Sequence, residues 1–364
     1  MKKITMDDLY YLQLGSAMLG SGGGGDPHYS YLMAKHQIET FGEIDLIDLS
    51  DLKDDDLICP VAVMGAPLIN KEKLLSGKEI YAPIEALQKS LRLDISVLMP
   101  GEIGGANAFA PLLIAAKKKM PVLDADLIGR AFPKLQMNSC NLHHMSPAPA
   151  VLSDSLGNTV IINTPHIDDL ERIARAVAIS MGSSAGIALH VMKASIAKQC
   201  VVQGSISRAI DIGKILCAAQ RHQRSQAHAL VEMGLATIVA EGVVTDIHHE
   251  MKNGFFEGFV TIKTEAQQIQ IDYQNEYLIA KEDELILAAT PDIIMLMEQS
   301  SGTLLTSENI KYGLEVIVLS LPAPSIWTTK EGLALTGPEV FGYKKNMNDR
   351  LTPSCKETLC TANL

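Results

Sequence analysis

Apolar and polar residues along the first 165 positions predict strands and helices in turn. Ile58–Met64 is an apolar, β-branched run of the kind found in strands buried on both faces of a sheet. Met6–Leu19 carries apolar residues at helical spacing, and Thr5 and Asp8 are placed as a capping box. The other predicted elements are the helices Tyr29–His36, Pro83–Leu91 and Ala106–Lys119 and the strands Glu43–Leu49, Ile95–Met99, Val122–Asp124 and Thr159–Asn163. This alternation indicates parallel βαβ units, so we expect an α/β N-terminal domain with a mainly parallel sheet over residues 1–166.

The pattern changes in the second half of the chain. Two amphipathic segments, Asp168–Gly182 and Ser205–Gln220, predict helices. Short β-rich segments separated by turn signals follow at Ile238–Val244, Gly258–Thr264, Gln268–Tyr273, Tyr277–Ala280, Glu284–Ala289 and Glu315–Leu319. We therefore expect a mostly antiparallel, β-rich C-terminal domain over residues 167–345, followed by a polar tail at 346–364.

Composition narrows the class of protein. The chain has 364 residues, of which 47% are hydrophobic and 20% charged, and a net charge of −11. These values are typical of a globular enzyme, and the acidic balance argues against a nucleic acid or an anionic membrane as partner. The N-terminus lacks the apolar region of a signal peptide, and no apolar run reaches the roughly 18 residues that span a bilayer. We expect a cytoplasmic protein with a small-molecule substrate, and a homo-oligomer is compatible with the sequence.

A glycine-rich loop follows the first predicted helix. The residues Gly22, Gly23, Gly24 and Gly25 are consecutive, which costs backbone entropy and contributes no packing. We interpret the loop as a backbone cradle for a small polar ligand rather than as a flexible connector. It has neither the Gly-Lys-Ser/Thr of a phosphate loop nor the spaced glycines of a dinucleotide fingerprint, so no nucleotide cofactor is expected.

Three turns at the ends of predicted parallel strands carry candidate chemistry. They are Gly65-Ala66-Pro67, Pro100–Asn107 and Asp124-Ala125-Asp126. Ligands bind beyond the carboxyl ends of the strands in such sheets, so these turns should converge at one edge. Glu102, Asp124 and Asp126 are our candidates for a catalytic general base, because a carboxylate in a partly desolvated turn can be tuned for that task.

The same turns offer groups that could bind a substrate. Gly104 and Gly105 open a predicted helix, so their N–H groups could hold an anion or a developing oxyanion. Asn107 lies in the same turn, and Arg130 could hold a ligand carboxylate in bidentate fashion. The structural alternative is that these glycines only punctuate strand and helix, and that Asp-x-Asp is a cap beside a solvated carboxylate.

Other chemistries have weaker signals. The pairs His143-His144 and His248-His249 do not have zinc-binding spacing, although Asp124 or Asp126 with a distant histidine remains an open alternative for a divalent metal. The six cysteines form no C-x-x-C pair, and no G-x-S-x-G elbow is present. Ser21 and Cys140 are the alternative candidates for a nucleophile.

Several motifs resemble one known family over nearly the whole chain. These are P-G-E-I-G-G-A-N-A-F-A-P at residues 100–111, P-V-L-D-A-D-L-I-G-R-A-F-P-K-L-Q-M at 121–137, L-G-S-G-G-G-G-D-P at 19–27, L-P-A-P-S-I-W-T-T-K-E-G-L at 321–333 and G-P-E-V-F-G-Y at 337–343. They are similar to those of the S-methyl thiohydantoin desulfurase-like family, long catalogued as a domain of unknown function near hydantoinase and oxoprolinase genes.

The resemblance implies a two-domain hydrolase. The expected reaction is water attack on the sulfur-bearing carbon of a five-membered thiohydantoin or hydantoin-like ring, with release of a thiol. Two alternatives remain open: a non-catalytic ligand-binding or partner subunit of a hydantoinase/oxoprolinase system, and a metal-dependent cyclic amidohydrolase.

Overall fold

The computed structural model describes residues 2–65, 69, 73 and 75–343. The predicted polar tail at 346–364 and residues Ala66 and Pro67 of the first strand-end turn lie outside this range. Within it, no helix is both long enough and apolar enough to cross a membrane. The cytoplasmic location stays a prediction.

The described α-helices accompany two large sheets and one two-stranded sheet. We number them α1 (Met6–Leu19), α2 (Pro27–Phe41), α3 (Lys78–Leu91), α4 (Leu112–Lys118), α5 (Ser139–Leu142), α6 (Ile167–Ser180), α7 (Ala194–Cys200), α8 (Ser205–Arg221), α9 (Gln226–Glu232) and α10 (Lys330–Thr336). The predicted capping box of α1 is confirmed: the Asp8 N–H donates to Thr5 Oγ1 at 3.3 Å, and the Thr5 N–H donates to Asp8 Oδ2 at 3.0 Å. This exchange satisfies two N–H groups that a helix start leaves without partners.

The N-terminal sheet is mixed, with a parallel centre. Its strands are β1 (Lys2–Ile4), β2 (Ile44–Ile47), β3 (Leu57–Gly65), β4 (Val97–Pro100), β5 (Val122–Leu123), β7 (Ala150–Ser153), β8 (Thr159–Ile162), β9 (Ser184–Ala188) and β10 (Met192–Lys193). The order is β1-β2-β5-β4-β3-β9-β7-β8, with β10 also paired to β3. The pairs β2–β5, β5–β4 and β4–β3 are parallel, and antiparallel strands flank them on both sides. Two short strands, β6 (Ala125–Asp126) and β11 (Val202–Gln203), pair separately.

The register of β3 and β4 opens a gap in the middle of this sheet. Their pairing ends at Val61 opposite Pro100. Beyond that point β3 continues to Gly65 and stays paired with β9 on its other side. The backbone of β3 from residue 62 onward therefore has a free edge where β4 turns away, and a strand edge needs hydrogen-bond partners when it is buried.

The second sheet is antiparallel throughout. Its strands are β12 (Thr237–Lys252), β13 (Phe255–Lys263), β14 (Gln268–Gln274), β15 (Glu276–Glu282), β16 (Leu285–Ala289), β17 (Ile293–Glu298), β18 (Leu304–Leu305) and β19 (Glu315–Leu321), in the order β16-β15-β14-β13-β12-β19-β17-β18. Together the two sheets confirm the predicted fold class of an α/β N-terminal part and a mostly antiparallel, β-rich C-terminal part.

One local prediction was wrong in its details, and one strand was not predicted. The segment predicted as one helix over Ala106–Lys119 is a 3-10 turn at Gly105–Phe109 followed by α4, because Pro111 has no N–H to continue a helical ladder. Strand β9, with the sequence Ser-Ala-Gly-Ile-Ala, has no alternation because both of its faces are buried. A Cβ at Gly186 would lie 1.9 Å from the Glu79 carbonyl oxygen, so small residues here let α3 contact the sheet.

The halves of the chain are interleaved in space. Strand β9 follows residue 167 in the chain, yet it pairs with β3 and β7 of the N-terminal sheet. The antiparallel sheet begins only at Thr237. The domain boundary predicted at residue 166 stays a prediction.

Candidate functional site

A cavity of about 130 Å³ lies beside the free edge of β3. Its polar lining includes Asp26, Glu102, Asn107, Asn138, Asn275 and Glu276. Its apolar lining includes Met33, Val63, Leu127, Phe132, Leu135 and Leu189. Tyr29 of α2 also lines the cavity and is 45% exposed, so the cavity reaches solvent on that side. A concave, mostly apolar space with a few polar groups is the usual form of a small-molecule site.

Glu102 stands at the gap left by β4. The preceding Gly101 N–H still donates to the Val61 carbonyl at 2.8 Å, which fixes the chain where it leaves the sheet. Glu102 Oε1 accepts a hydrogen bond of 2.6 Å from Asn107 Nδ2. Asn107 itself satisfies the free edge of β3, because its Oδ1 accepts the Val63 N–H at 2.7 Å and its Nδ2 donates to the Val63 carbonyl at 3.3 Å. These bonds define the amide orientation, so Glu102 Oε1 must act as an acceptor.

Burial changes the acidity of Glu102. The residue is only 9% exposed. Burial raises the pKa of Glu102 to about 7, the Asn107 bond and the Phe132 backbone N–H oppose this rise, and the charge of Asp126 adds to it. A carboxyl whose pKa lies near neutrality is suited to accept a proton at physiological pH.

A second glutamate in the cavity was missed by the sequence analysis. Glu276 comes from the second sheet, directly after the tight turn at Asn275, whose φ is 58°. Its Oε1 accepts the Gly24 N–H at 3.0 Å, and its Oε2 is buried without a hydrogen-bond partner among the described residues. Burial and the charge of Glu102 raise the pKa of Glu276 to about 8, and the charge of Arg130 opposes them. The only sequence signal was a tight turn between two β-rich segments, which does not indicate a site.

The glycine-rich loop contacts the second sheet and the cavity at once. Gly24 and Gly25 line the cavity. The first two glycines pack on protein instead: a Cβ at Gly22 would lie 2.3 Å from the Tyr277 ring, and one at Gly23 would lie 2.1 Å from Glu276 Oε1. Ser21 belongs to the same junction, since its Oγ donates to the Ile294 carbonyl at 2.9 Å. This contact leaves its hydroxyl buried, away from the cavity.

Gly104 and Gly105 pack against the glycine-rich loop rather than line the cavity. A Cβ at Gly104 would lie 2.6 Å from Ala131, and one at Gly105 would lie 2.5 Å from Gly24. The Ala106 N–H donates to the Gly24 carbonyl at 3.0 Å. The backbone here joins two loops, and binding of a substrate oxygen by Gly104 and Gly105 stays a prediction without geometric support.

Neither of the two predicted aspartates lines the cavity. Asp124 accepts the Ser207 N–H at 3.0 Å and the Ser207 hydroxyl, so it caps the first turn of α8. Asp126 accepts the Ile103 N–H at 2.8 Å and the Gly129 N–H at 2.7 Å, and burial raises its pKa to about 7 against these bonds. Asp126 thus holds together the two loops that follow β4 and β6, one of which carries Glu102.

Arg130 is fully buried behind the cavity. Its Nε donates to the Ala131 carbonyl at 2.8 Å, and its Nη1 donates to the carbonyls of Pro291 and Asp292. Burial lowers the pKa of Arg130 to about 10, while the nearby carboxyls oppose this. Its guanidinium does not line the cavity, so the predicted bidentate contact with a ligand carboxylate is not formed there. The guanidinium instead supplies positive charge near Glu276 and Glu102.

The metal and cysteine-nucleophile alternatives lack a suitable arrangement of side chains in the described part of the chain. Across residues 2–65, 69, 73 and 75–343, no group of three or more His, Cys, Asp or Glu side chains is arranged to hold a metal ion. Cys140 is buried against Cys200, with 3.9 Å between the Sγ atoms, and this contact raises the pKa of the Cys140 thiol. A thiol with a raised pKa is a poor nucleophile. A metal bound through Asp124 or Asp126 stays a prediction.

The two buried glutamates predict an unusual dependence of stability on pH. Both pKa values lie above about 4.3, the ordinary value of a glutamate in an unfolded chain. The folded protein therefore keeps protons that the unfolded chain releases, and its free energy of unfolding should fall as pH rises from about 4.3 to about 8. Each group contributes up to about 1.4 kcal/mol per pH unit. Urea unfolding of wild type and Glu276→Gln across this window should show a shallower decline in the variant; parallel curves would contradict the prediction.

Comparison with known proteins connects the whole chain to one family. Residues 7–164 match the family model described as S-Me-THD-like, N-terminal domain, and residues 165–349 match S-Me-THD-like, C-terminal domain. A structural-genomics crystal structure of a protein from Chromobacterium violaceum is 23% identical, with a TM-score of 0.78 over 94% of this chain and 97% of its own. At that identity the similarity shows the fold alone. No curated protein matches the chain.

Proposed function

The chain belongs to the S-Me-THD-like family, and from this premise we propose that it is a hydrolase of small thiohydantoin-like rings. Water would add to the ring carbon that bears sulfur, the carbon–sulfur bond would break, and a thiol and a hydantoin would leave. The family name supports the substrate class. The observation that carries the proposal is Glu102, which lines an apolar cavity with a pKa of about 7.

Glu102 is the proposed general base. Its Oε1 is held by Asn107 at 2.6 Å, so the carboxyl is oriented by a side chain that is itself anchored on β3. Such support keeps a base within reach of one position of a water molecule. Glu102 is buried, which strengthens the attraction between its carboxylate and the proton that it removes.

Asp126 has a positioning part in this proposal. It binds the Ile103 N–H beside Glu102 and the Gly129 N–H in the following loop. Asp124 is farther from the chemistry, since it caps α8. Gly24 and Gly25 are the members of the glycine-rich loop that could contact a bound ring.

An isotope experiment tests the proposed reaction. The purified chain is incubated in H₂¹⁸O with an S-methyl thiohydantoin that carries a small apolar substituent. We expect one thiol per hydantoin formed, and one ¹⁸O atom in the new ring carbonyl. Absence of thiol release would contradict the proposal and favour a non-catalytic binding or partner subunit. Loss of activity with a chelator, restored by a divalent metal, would favour the metal-dependent alternative.

A further inference from the structure

Two carboxyl groups from different sheets meet in one cavity. Glu102 follows β4 of the N-terminal sheet, and Glu276 begins β15 of the antiparallel sheet. Both line the same cavity, and Glu276 is 3% exposed. The charge of Glu102 raises the pKa of Glu276. Two buried carboxylates that share a site resist simultaneous ionisation, so one of them holds a proton when the other has lost it.

The hydrogen bonds place the proton on a defined oxygen of Glu276. Its Oε1 accepts the Gly24 N–H at 3.0 Å and is therefore an acceptor in either protonation state. Its Oε2 is buried and accepts no hydrogen bond within the described part of the chain. A buried carboxylate oxygen without a donor is costly, whereas a protonated Oε2 can donate to whatever occupies the cavity.

The order in which the two groups lose protons assigns their roles. Glu102 accepts hydrogen bonds from the Asn107 side chain and the Phe132 backbone, and these bonds stabilise its ionised form. One oxygen of Glu276 has no donor among the described residues, so Glu102 is the first of the pair to ionise. Near neutral pH the cavity therefore contains one carboxylate and one carboxylic acid, which is the pairing that acid–base catalysis requires.

We propose that Glu276 is the general acid of this site and protonates a ring nitrogen of the substrate through Oε2. This inference rests on the proposed hydrolase function and adds a catalytic residue from the C-terminal half. A thioimidate-like carbon accepts water readily only if the electron pair of its C=N bond can move to a nitrogen that gains a proton. Glu276, which is buried in the cavity wall, supplies that proton.

The proton inventory of the reaction balances with these two groups alone. In the first step, a water oxygen bonds to the ring carbon, its proton passes to Glu102, the C=N electron pair moves to nitrogen, and Glu276 protonates that nitrogen. In the second step, the new hydroxyl returns its proton to Glu276 as the C=O bond forms. The C–S bond breaks, and the departing thiolate takes the proton held by Glu102. The products are a hydantoin and a thiol, and both glutamates regain their starting states.

A purely structural part for Glu276 makes a different prediction. If Glu276 served only to accept the Gly24 N–H through Oε1, a glutamine could accept the same hydrogen bond, and activity would be unchanged. Glu276→Gln keeps that oxygen and the volume of the side chain while it removes the proton donor. The variant also resembles the neutral acid form, so we expect it to fold. Glu265→Gln, in the exposed turn between β13 and β14 of the same sheet, is the matched control.

The pH profile of thiol release separates the possibilities. In wild type, kcat/KM should rise as Glu102 ionises near pH 7 and fall as Glu276 ionises near pH 8. Glu276→Gln should lower kcat/KM by about 10²-fold and remove the alkaline limb, while the acid limb stays. The inference would be overturned if the wild-type profile had no alkaline limb. It would also be overturned if Glu276→Gln kept that limb and stayed within threefold of wild-type activity. Either result would leave the proposed function standing. No thiol release from wild type would overturn both.

Discussion

Glu102→Gln is expected to lower kcat/KM for thiol release by about 10³-fold, because it removes the group that takes the proton from the attacking water. In wild type, Asn107 Nδ2 donates to Glu102 Oε1 at 2.6 Å. The glutamine keeps an oxygen that can accept this hydrogen bond, so Asn107 should hold the side chain in the same place. The loss should therefore appear in kcat rather than in KM. Steady-state kinetics with an S-methyl thiohydantoin measure both constants.

Stability provides the internal check on that result. Replacing a buried carboxyl whose pKa is about 7 with a neutral amide removes an unfavourable charge, so the variant should unfold at the same urea concentration as wild type or higher at pH 8. Glu43→Gln, at an exposed position, is the control and should match wild type in both measurements. Activity of Glu102→Gln within tenfold of wild type, in a folded protein, would remove Glu102 from the proposed mechanism.

Gly105→Ala is expected to lower the free energy of unfolding by about 4 kcal/mol or more, one of the larger effects a single substitution can have. The backbone at Gly105 has a φ of +65°, and a Cβ there would lie 2.5 Å from Gly24 carbon and oxygen and 2.6 Å from the Gly25 oxygen. These are backbone atoms of the loop that lines the cavity, so they cannot rotate away as a side chain would. Urea or thermal unfolding measures the loss.

The chain offers a control that separates strain from crowding. Gly234 has nearly the same φ, +69°, but no atom lies within 4 Å of its added Cβ. Gly234→Ala should cost only the conformational penalty of about 1 kcal/mol. Similar losses in the two variants would mean that the loops around Gly105 can separate, and that the packing seen there is not tight.

Strand order explains how much of the site could be predicted. Glu102 and Asn107 were predicted from the chain and line the cavity, because a parallel strand delivers the residues after its carboxyl end to one edge. Gly24 and Gly25 also line it, and they were predicted from the entropy cost of the glycine run. Asp124 satisfied the same strand-end rule, yet it caps α8. Its partner there, Ser207, lies 83 residues away in the chain, and no local pattern predicts which helix start will lie beside a strand end.

Glu276 shows the opposite limit. It is 252 residues from Gly24, its hydrogen-bond partner, and it follows an ordinary turn of an antiparallel sheet. Only the packing of the second sheet on the glycine-rich loop brings it to the cavity. The fold class was predictable from the alternation of elements, whereas β9 was not, because its sequence Ser-Ala-Gly-Ile-Ala has neither an alternating pattern nor a β-branched apolar run.

The position of β9 also bears on recombination between homologues. The two family segments meet between residues 164 and 165, which makes that junction an obvious crossover point for chimeric proteins. A crossover there would take β9 from one parent and its neighbours β3 and β7 from the other, and would divide the pair of Glu102 and Glu276 between parents. A junction shortly before Thr237, where the antiparallel sheet begins, keeps the mixed sheet intact and exchanges Glu276 together with the whole sheet that carries it.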